Sequence, residues 1–181
     1  VLYSSTYRNR YVDLLKMDYP RIPMDPSRSL VDALSVFGQQ LVLTHTFDSK
    51  VFGEKLTTPT RTDELEIEKV SYSDETVWID KAQTVGFQGV SEDVWAFTIG
   101  SYRVCEKWLK DRQAKGGKNA RSGHTMTAED LDHYQNIVVA VDKTIRIVCE
   151  IDEAIELHGG WPDAFQIEEN DPSSVDSSGE Q

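Results

Sequence analysis

The sequence is short of the residues that most site chemistry requires. It has two cysteines in 181 residues, Cys105 and Cys149, far apart and without a CxxC partner or a histidine at metal-ligand spacing. That excludes a disulfide framework and a zinc site. Both cysteines fall among apolar residues at helical spacing and are expected to be small core residues in a reducing compartment. His45, His124, His133 and His158 are scattered. A lone histidine near a helix end, as His158 would be, more often meets terminal carbonyls than a substrate. No GxxxxGKS phosphate loop, HExxH or GxSxG motif occurs. The adjacent carboxylates Asp152 and Glu153 read as a solvated helix face. The chain is therefore not expected to be an enzyme by itself. No apolar run approaches the roughly 18 residues that span a bilayer, and "VLYSSTYRNRYVDLL" lacks the cationic start and apolar stretch of a secretory signal, so the chain is read as cytoplasmic with no membrane partner.

Positive charge is also scarce, and unevenly placed. The net charge is −12, which as a single number argues against a polyanionic partner. Residues 1–100 carry 10 Lys and Arg against 15 Asp and Glu, residues 124–181 carry 2 against 14, and residues 101–123 carry 7 against 2. A cationic island thus lies beside an acidic final third.

What is present is a change of hydrophobic period. Ser5 or Thr6 can cap a first helix bearing Tyr7, Tyr11, Leu14 and Leu15, which Pro20, Pro23 and Pro26 end. Ser27 or Ser29 can cap a second, with Leu30, Leu34, Phe37, Leu41 and Val42 as its apolar stripe. Residues 47–62 read as a loop. From Leu65 the period becomes 2, through Ile67, Val70 and Tyr72, a turn at "SDET", and Val77 and Ile79, which predicts a β-hairpin. "TVGFQGV" offers a third strand or a glycine-bent loop. Ser91 caps a short helix, Gly100 interrupts, and a helix over residues 101–113 would place Arg103, Lys107 and Lys110 on one side with Val104 and Trp108 facing the core. "AKGGKNARSGH" reads as a connector. Thr127 with Asp130 forms a capping box opening the longest helix, whose stripe is Leu131, Tyr134, Val138, Val141, Ile145, Val148 and Ile155, widened by Ile137, Thr144 and Ile151. Gly159, Gly160 and Pro162 stop it. The expected fold is α+β, mainly helical, with a small antiparallel sheet in the middle and a long C-terminal helix.

Arg addresses guanine bidentately and Lys supplies a point charge for phosphate, so the island has chemistry suited to duplex DNA. The bland alternative is a solvated helix face, since Glu106 and Asp111 stand where they can pair some of its charge.

Three stretches, "YSSTYRNRYVDLLKMDYPRIP", "VWIDKAQTVGFQGVSEDVWAFTIGSYRVCEKWLKDR" and "DLDHYQNIVVAVDKTIRIVCEIDEAI", resemble in order and spacing the C-terminal region of type ISP restriction-modification enzymes and related large adenine-specific DNA methyltransferases. The resemblance covers most of residues 3–156 and implies a target-recognition domain that selects the DNA sequence. It implies duplex DNA and a methyltransferase domain, of the same or a companion chain, as partners. S-adenosylmethionine would then belong to that absent catalytic part, with no cofactor in this chain. Residues 1–28 would be a connecting helix and Pro-rich segment, 29–163 the recognition domain and 164–181 an acidic disordered tail. The residues expected to face DNA are Lys81, Gln83, Gln88, Ser101, Tyr102, Arg103, Lys107, Lys110 and Arg112, with Lys107, Lys110 and Arg112 on phosphates and Arg103, Gln83 and Gln88 on base edges. Three positions depart from the family's usual pattern: Gly100, Ser101, Tyr102 and Arg103 stand for Gly-Gly-Tyr-Gln, which changes Ser101 and Arg103, and Asp80 stands for Asn. The alternative is a non-catalytic scaffold module docking through the Tyr7 and Tyr11 helix and the long helix.

Overall fold

The structure, a computed structural model, describes residues 1–23, 25–48, 52–61, 65–114 and 123–166. The connector at 115–122 and the expected tail beyond residue 166 lie outside them. The chain divides into two compact units, one of Val1–Gln39 with Ile147–Gln181 and one of Gln40–Arg146. Two long helices, α3 (Arg28–His45) and α6 (Ala128–Leu157), contribute residues to both.

The Gln40–Arg146 unit holds every strand found among the described residues. Strands β1 (Thr58–Pro59), β3 (Ser71–Ser73), β4 (Thr76–Trp78) and β5 (Gly86–Gln88) form an antiparallel sheet in the order β1-β5-β4-β3. The "SDET" hairpin is present. Asp74 and Glu75 both have positive φ, 51° and 52°, the backbone that lets a two-residue loop follow the right-handed twist of its strands. The Glu75 carbonyl then accepts from Gly89 and Val90. Gly86 could not be larger: a Cβ there would lie 2.3 Å from the Val77 carbonyl oxygen, so glycine permits the β4–β5 approach. "TVGFQGV" is thus a strand, and residues 47–62, read as a loop, contain β1.

The expected hairpin is shorter than the period-2 stretch. Leu65 belongs instead to β2 (Leu65–Glu66), which pairs antiparallel with β8 (Thr125–Met126). The alternation of Leu65 and Ile67 reports burial on one face, and it does not say which strand lies alongside. Both are in the core, which gathers Val77, Ile79, Phe87, Val94 and Trp95 around Leu109, Tyr134 and Val138.

Helix α4 (Glu92–Ala96) is capped by Ser91, whose hydroxyl accepts from the Val94 N–H. A second hairpin follows, β6 (Thr98–Ile99) with β7 (Tyr102–Arg103), and then α5 (Val104–Arg112). Helix α6 opens on the expected capping box: Asp130 N–H donates to Thr127 Oγ1 at 3.2 Å, and Thr127 N–H to Asp130 Oδ2 at 2.9 Å. Its Leu131, Tyr134, Ile137, Val138, Val141 and Thr144 are buried. Tyr134 packs between Phe87 and Trp108, with ring centroids 4.5 and 5.5 Å away.

In the other unit the first helix is broken in two, α1 (Ser5–Arg10) and α2 (Val12–Met17). Ser4, rather than Ser5 or Thr6, is the cap of α1 and accepts from the Tyr7 N–H. The open end of α1 meets Asp152 of α6, whose carboxylate accepts from the Ser4 and Thr6 hydroxyls, both at 2.5 Å, and from the Ser5 N–H at 3.0 Å. Asp152 is therefore a bonded helix-terminus anion rather than part of a solvated face. Ser27 accepts from the Leu30 N–H at the start of α3, which runs to His45. Leu30 and Leu41 are buried, but Val42, expected in the stripe, is exposed. Cys105 is buried as expected, whereas Cys149 is exposed: it follows Ile147 and Val148 on α6 but falls outside their buried arc. At the end of α6, Gly159 and Gly160 have φ of 107° and 75°, and the Gly160 N–H returns to the Ile155 carbonyl, as in helix ends closed by left-handed glycine. His158 takes the role expected of it, with Nδ1 2.7 Å from the Ala154 carbonyl oxygen.

Candidate nucleic-acid interface

The cationic island has two structurally different parts. In α5 the charges are already engaged. Lys107 pairs with Asp111, and Lys110 with Glu106 at 2.7 Å, both one helical turn apart. The Arg112 guanidinium lies 3.6 Å from the Trp108 ring centroid and donates to the Trp108 carbonyl. It also stands 3.9 Å from Asp130. The local pairing anticipated from Glu106 and Asp111 is present.

Arg103 is not on this helix. The expected helical row fails at its first member, because residues 98–103 form the β6–β7 hairpin and Arg103 is extended, with φ −71° and ψ 121°, as the N-cap of α5. The reason lies in Gly100, whose φ is +60° while Ser101's is not positive, the pattern of a two-residue turn with glycine first. Ser101 can replace a second glycine there without strain. Thr98 lies opposite Arg103 and Ile99 opposite Tyr102, and all four are exposed. The Lys107 ammonium stands 5.6 Å from the centroid of the Tyr102 ring, so Tyr102 and Lys107 are brought together even though the row is not.

The loop from β4 to β5 is closed by Asp80. Its carboxylate accepts from Thr84 N–H at 3.0 Å, from Thr84 Oγ1 at 2.8 Å and from Val85 N–H at 3.0 Å. Partial burial acts to raise its pKa, and these hydrogen bonds outweigh it, so the group sits below its usual range. The closure leaves Lys81 and Gln83 exposed, Gln83 with φ of 56°. Gln88 is exposed at the other end of β5, next to the Asp74–Glu75 turn. The two glutamines are thus at opposite ends of one strand. Among the described residues, Lys81, Gln83, Gln88, Ser101 and Arg103 have no side-chain hydrogen bond or ion pair, which separates them from Lys107, Lys110 and Arg112.

Beside this surface, Asp130 and His124 form a fixed polar pair, 2.9 Å apart. Burial opposes charge on Asp130, but donation from Thr127 N–H, the His124 ring and the Thr127 hydroxyl prevails and holds its pKa at about 2. Sequence reasoning missed a feature of the other unit, a cavity of about 420 Å³ walled by Tyr7, Tyr11, Leu14, Tyr19, Trp161 and Phe165. The clue was available: Tyr7, Tyr11 and Tyr19 precede the prolines, and Trp161 follows the stop of α6. No helix is long and apolar enough to cross a membrane, and no cluster of metal-ligating side chains occurs among the described residues.

Comparison with known proteins bears on what this surface is. No curated protein sequence matches the chain. Solved structures share its fold, two of them Type ISP restriction-modification enzymes. A nuclease-deletion mutant of the Type ISP restriction-modification enzyme LlaGI, in complex with a DNA substrate mimic, aligns with a TM-score of 0.61 at 19% identity, over 82% of this chain and 13% of that one. The ATP-dependent Type ISP restriction-modification enzyme LlaBIII, bound to DNA, aligns with a TM-score of 0.61 at 15% identity, over 82% of this chain and 10% of that one. The chain thus spans a small part of the length of either enzyme. The family model of the Type ISP C-terminal specificity domain matches residues 1–150, and the chain belongs to that family.

Proposed function

We propose that this chain binds duplex DNA and selects its sequence on behalf of an adenine-specific methyltransferase or type ISP restriction-modification enzyme. The observation that carries the reading is Arg103: an exposed guanidinium on a two-residue strand, without an internal partner among the described residues, in a hairpin whose four strand residues are all exposed. Arg in this state can bind guanine O6 and N7 in the major groove without first giving up an ion pair. Gln83 and Gln88 have the bidentate amide that suits adenine, and Lys81 suits a phosphate. Lys107, Lys110 and Arg112 contribute to phosphate contact at a higher cost, because each must exchange Asp111, Glu106 or Asp130 for it. The methyltransferase domain that would use the selected site is a separate part of such an enzyme.

S-adenosylmethionine belongs in that part as well. Such a cofactor is received where a parallel strand turns through a glycine loop into a helix N-terminus. Among the described residues every strand pairing is antiparallel, so they do not fit the cofactor.

Titration of duplex DNA over a salt series tests the reading, since phosphate contacts make log affinity fall linearly with log salt. In the enzyme that carries this domain, Arg103→Ala is expected to lose roughly 1–3 kcal/mol at one base position and relax specificity there. Lys110→Ala should weaken all sequences alike and reduce the salt slope by about one unit. Unchanged sequence preference and unchanged slope in both variants would sink the proposal.

A second reading is favoured by one observation. Leu14, Met17, Tyr19 and Ile22, close together in sequence, are all exposed, Tyr19 to 89%, around the aromatic cavity. Apolar exposure of this kind marks a docking surface, and we infer that α1 and α2 seat the domain on another part of its enzyme. Leu14→Asp with Met17→Asp should then abolish co-purification with a separately expressed methyltransferase part while leaving the circular dichroism spectrum intact.

A further inference from the structure

The tip of the β6–β7 hairpin carries a feature that hydrogen-bond readout of bases does not use. Ile99 and Tyr102 face each other across the strands, so their side chains share one face. They are exposed to 64% and 59%. Between them the chain turns through Gly100, where a Cβ would meet nothing within 4 Å. The base of the hairpin is anchored by contrast: Val104 N–H donates to the Phe97 carbonyl at 3.1 Å, Phe97 and Val104 pack against the core, and Trp95 and Cys105 are within it. A fixed stem therefore holds an apolar pair out in solvent.

The charges around that pair indicate what it meets. Arg103 projects from the opposite face of β7, and the Lys107 ammonium lies 5.6 Å from the Tyr102 ring centroid. An apolar tip with cations beside it complements a partner that is anionic at its rim and flat and apolar within. Stacked bases between two phosphate chains have that character.

We infer that Ile99 and Tyr102 form a wedge that enters the base stack of duplex DNA. The wedge opens one base step while Lys107, beside Tyr102, holds a flanking phosphate and Arg103 keeps its base edge. Insertion of apolar side chains between base steps is a known way for proteins to unstack and kink a duplex. A reader serving an enzyme that modifies a base has a use for it, because that base must leave the stack to be reached. The wedge does not depend on base identity, so it acts alongside the polar readout by Arg103, Gln83 and Gln88. The inference rests on the DNA-reading proposal above.

The test uses the 181-residue chain and two fluorescein-labelled duplexes of the same sequence, one intact and one with a single abasic site flanked by 2-aminopurine, at low and moderate salt. A wedge gains where the step is already open. The chain is expected to bind the abasic duplex about tenfold more tightly than the intact one and to change the 2-aminopurine emission. Ile99→Ser with Tyr102→Ser should bring the two affinities together and remove the emission change while keeping the salt slope. Arg103→Ala should weaken both duplexes and keep their ratio. Both substituted residues are exposed, and circular dichroism establishes that the variant is folded. Equal affinity of the unsubstituted chain for the two duplexes, with a normal salt slope, would overturn the wedge and leave the DNA reading standing; the tip would then be free for a protein surface. A preference that survives in the double variant would overturn it too. Absence of any salt-dependent binding would remove the DNA reading and the wedge with it.

Discussion

The two compact units solve similar local problems with opposite treatment of their apolar side chains. Each places a helix N-terminus on a carboxylate, Thr127 with Asp130 in one and Ser4 with Asp152 in the other, and each packs aromatic rings together, Phe87, Tyr134 and Trp108 in one and Tyr7, Tyr11, Trp161 and Phe165 in the other. In the Gln40–Arg146 unit the rings close a core in which Tyr134 is fully buried. In the other unit they wall a cavity, and Leu14, Met17 and Tyr19 face outward. The first unit is complete as a hydrophobic core. The second has the composition of an interface.

That contrast is broken most strongly at Tyr134. Tyr134→Ala removes the ring between Phe87 and Trp108, and a loss of about 3–5 kcal/mol is expected in urea denaturation, as for other aromatic-to-alanine changes in cores. Tyr134→Phe should be neutral or slightly stabilising, because the hydroxyl is buried without a hydrogen-bond partner among the described residues and its removal relieves an unmet desolvation cost. A large loss in the Phe variant would mean that the hydroxyl has a partner after all.

The carboxylates give intermediate effects and separate the units. Asp152→Ala should cost about 1–2 kcal/mol, read as lost amide-exchange protection in α1 with β3–β5 unchanged. Asp130→Asn should cost about 1 kcal/mol at neutral pH. The pH dependence follows from the pKa of about 2 in the folded chain, against about 3.9 for an unfolded aspartate. A depressed carboxylate stabilises the fold fully above the unfolded value, and that contribution is lost as pH falls from about 4 toward 2. The unsubstituted chain should therefore lose stability over that window, and the Asn variant should lose less. Equal acid sensitivity in the two would show that Asp130 is not held as described.

The cysteines sharpen the comparison at no cost in stability, since one lies in each unit. Burial pushes the Cys105 thiol up to about 12, so it should resist iodoacetamide at pH 8, while the exposed Cys149 is alkylated. Mass spectrometry should find one label per native chain and two in urea.

Much of the fold was legible because it is written in local physics. The Thr127–Asp130 capping box, the period of α6, the glycine stop and the turn at "SDET" depend on residues within a few positions of one another. The strand partner of Leu65 was not legible, because alternation fixes which face is buried and leaves the neighbour open. Nor was the hairpin at 98–103, where Val104, Trp108 and Lys110 continue a helical pattern that Gly100 and the extended Arg103 cut short. Cys149 and Val42 were assigned to the core because each stands beside buried residues on an amphipathic helix, where a shift of one position turns a side chain by about 100°.

By itself, then, the sequence determined helices α3, α4 and α6 with their caps, the hairpin around Asp74 and Glu75, the position of the cationic island and the family the chain belongs to. Each follows from short-range sterics, periodicity or ordered motifs. The pairing of Lys107 with Asp111 and of Lys110 with Glu106 was legible as well, because each pair is one helical turn apart. The tertiary structure decided the rest: Arg112 stands beside Asp130 of another helix, and Arg103 lies on a hairpin, off the helical row and without a partner among the described residues. Coulomb pairing between distant parts of the chain acts over a few ångströms in space, and only the folded chain sets those distances.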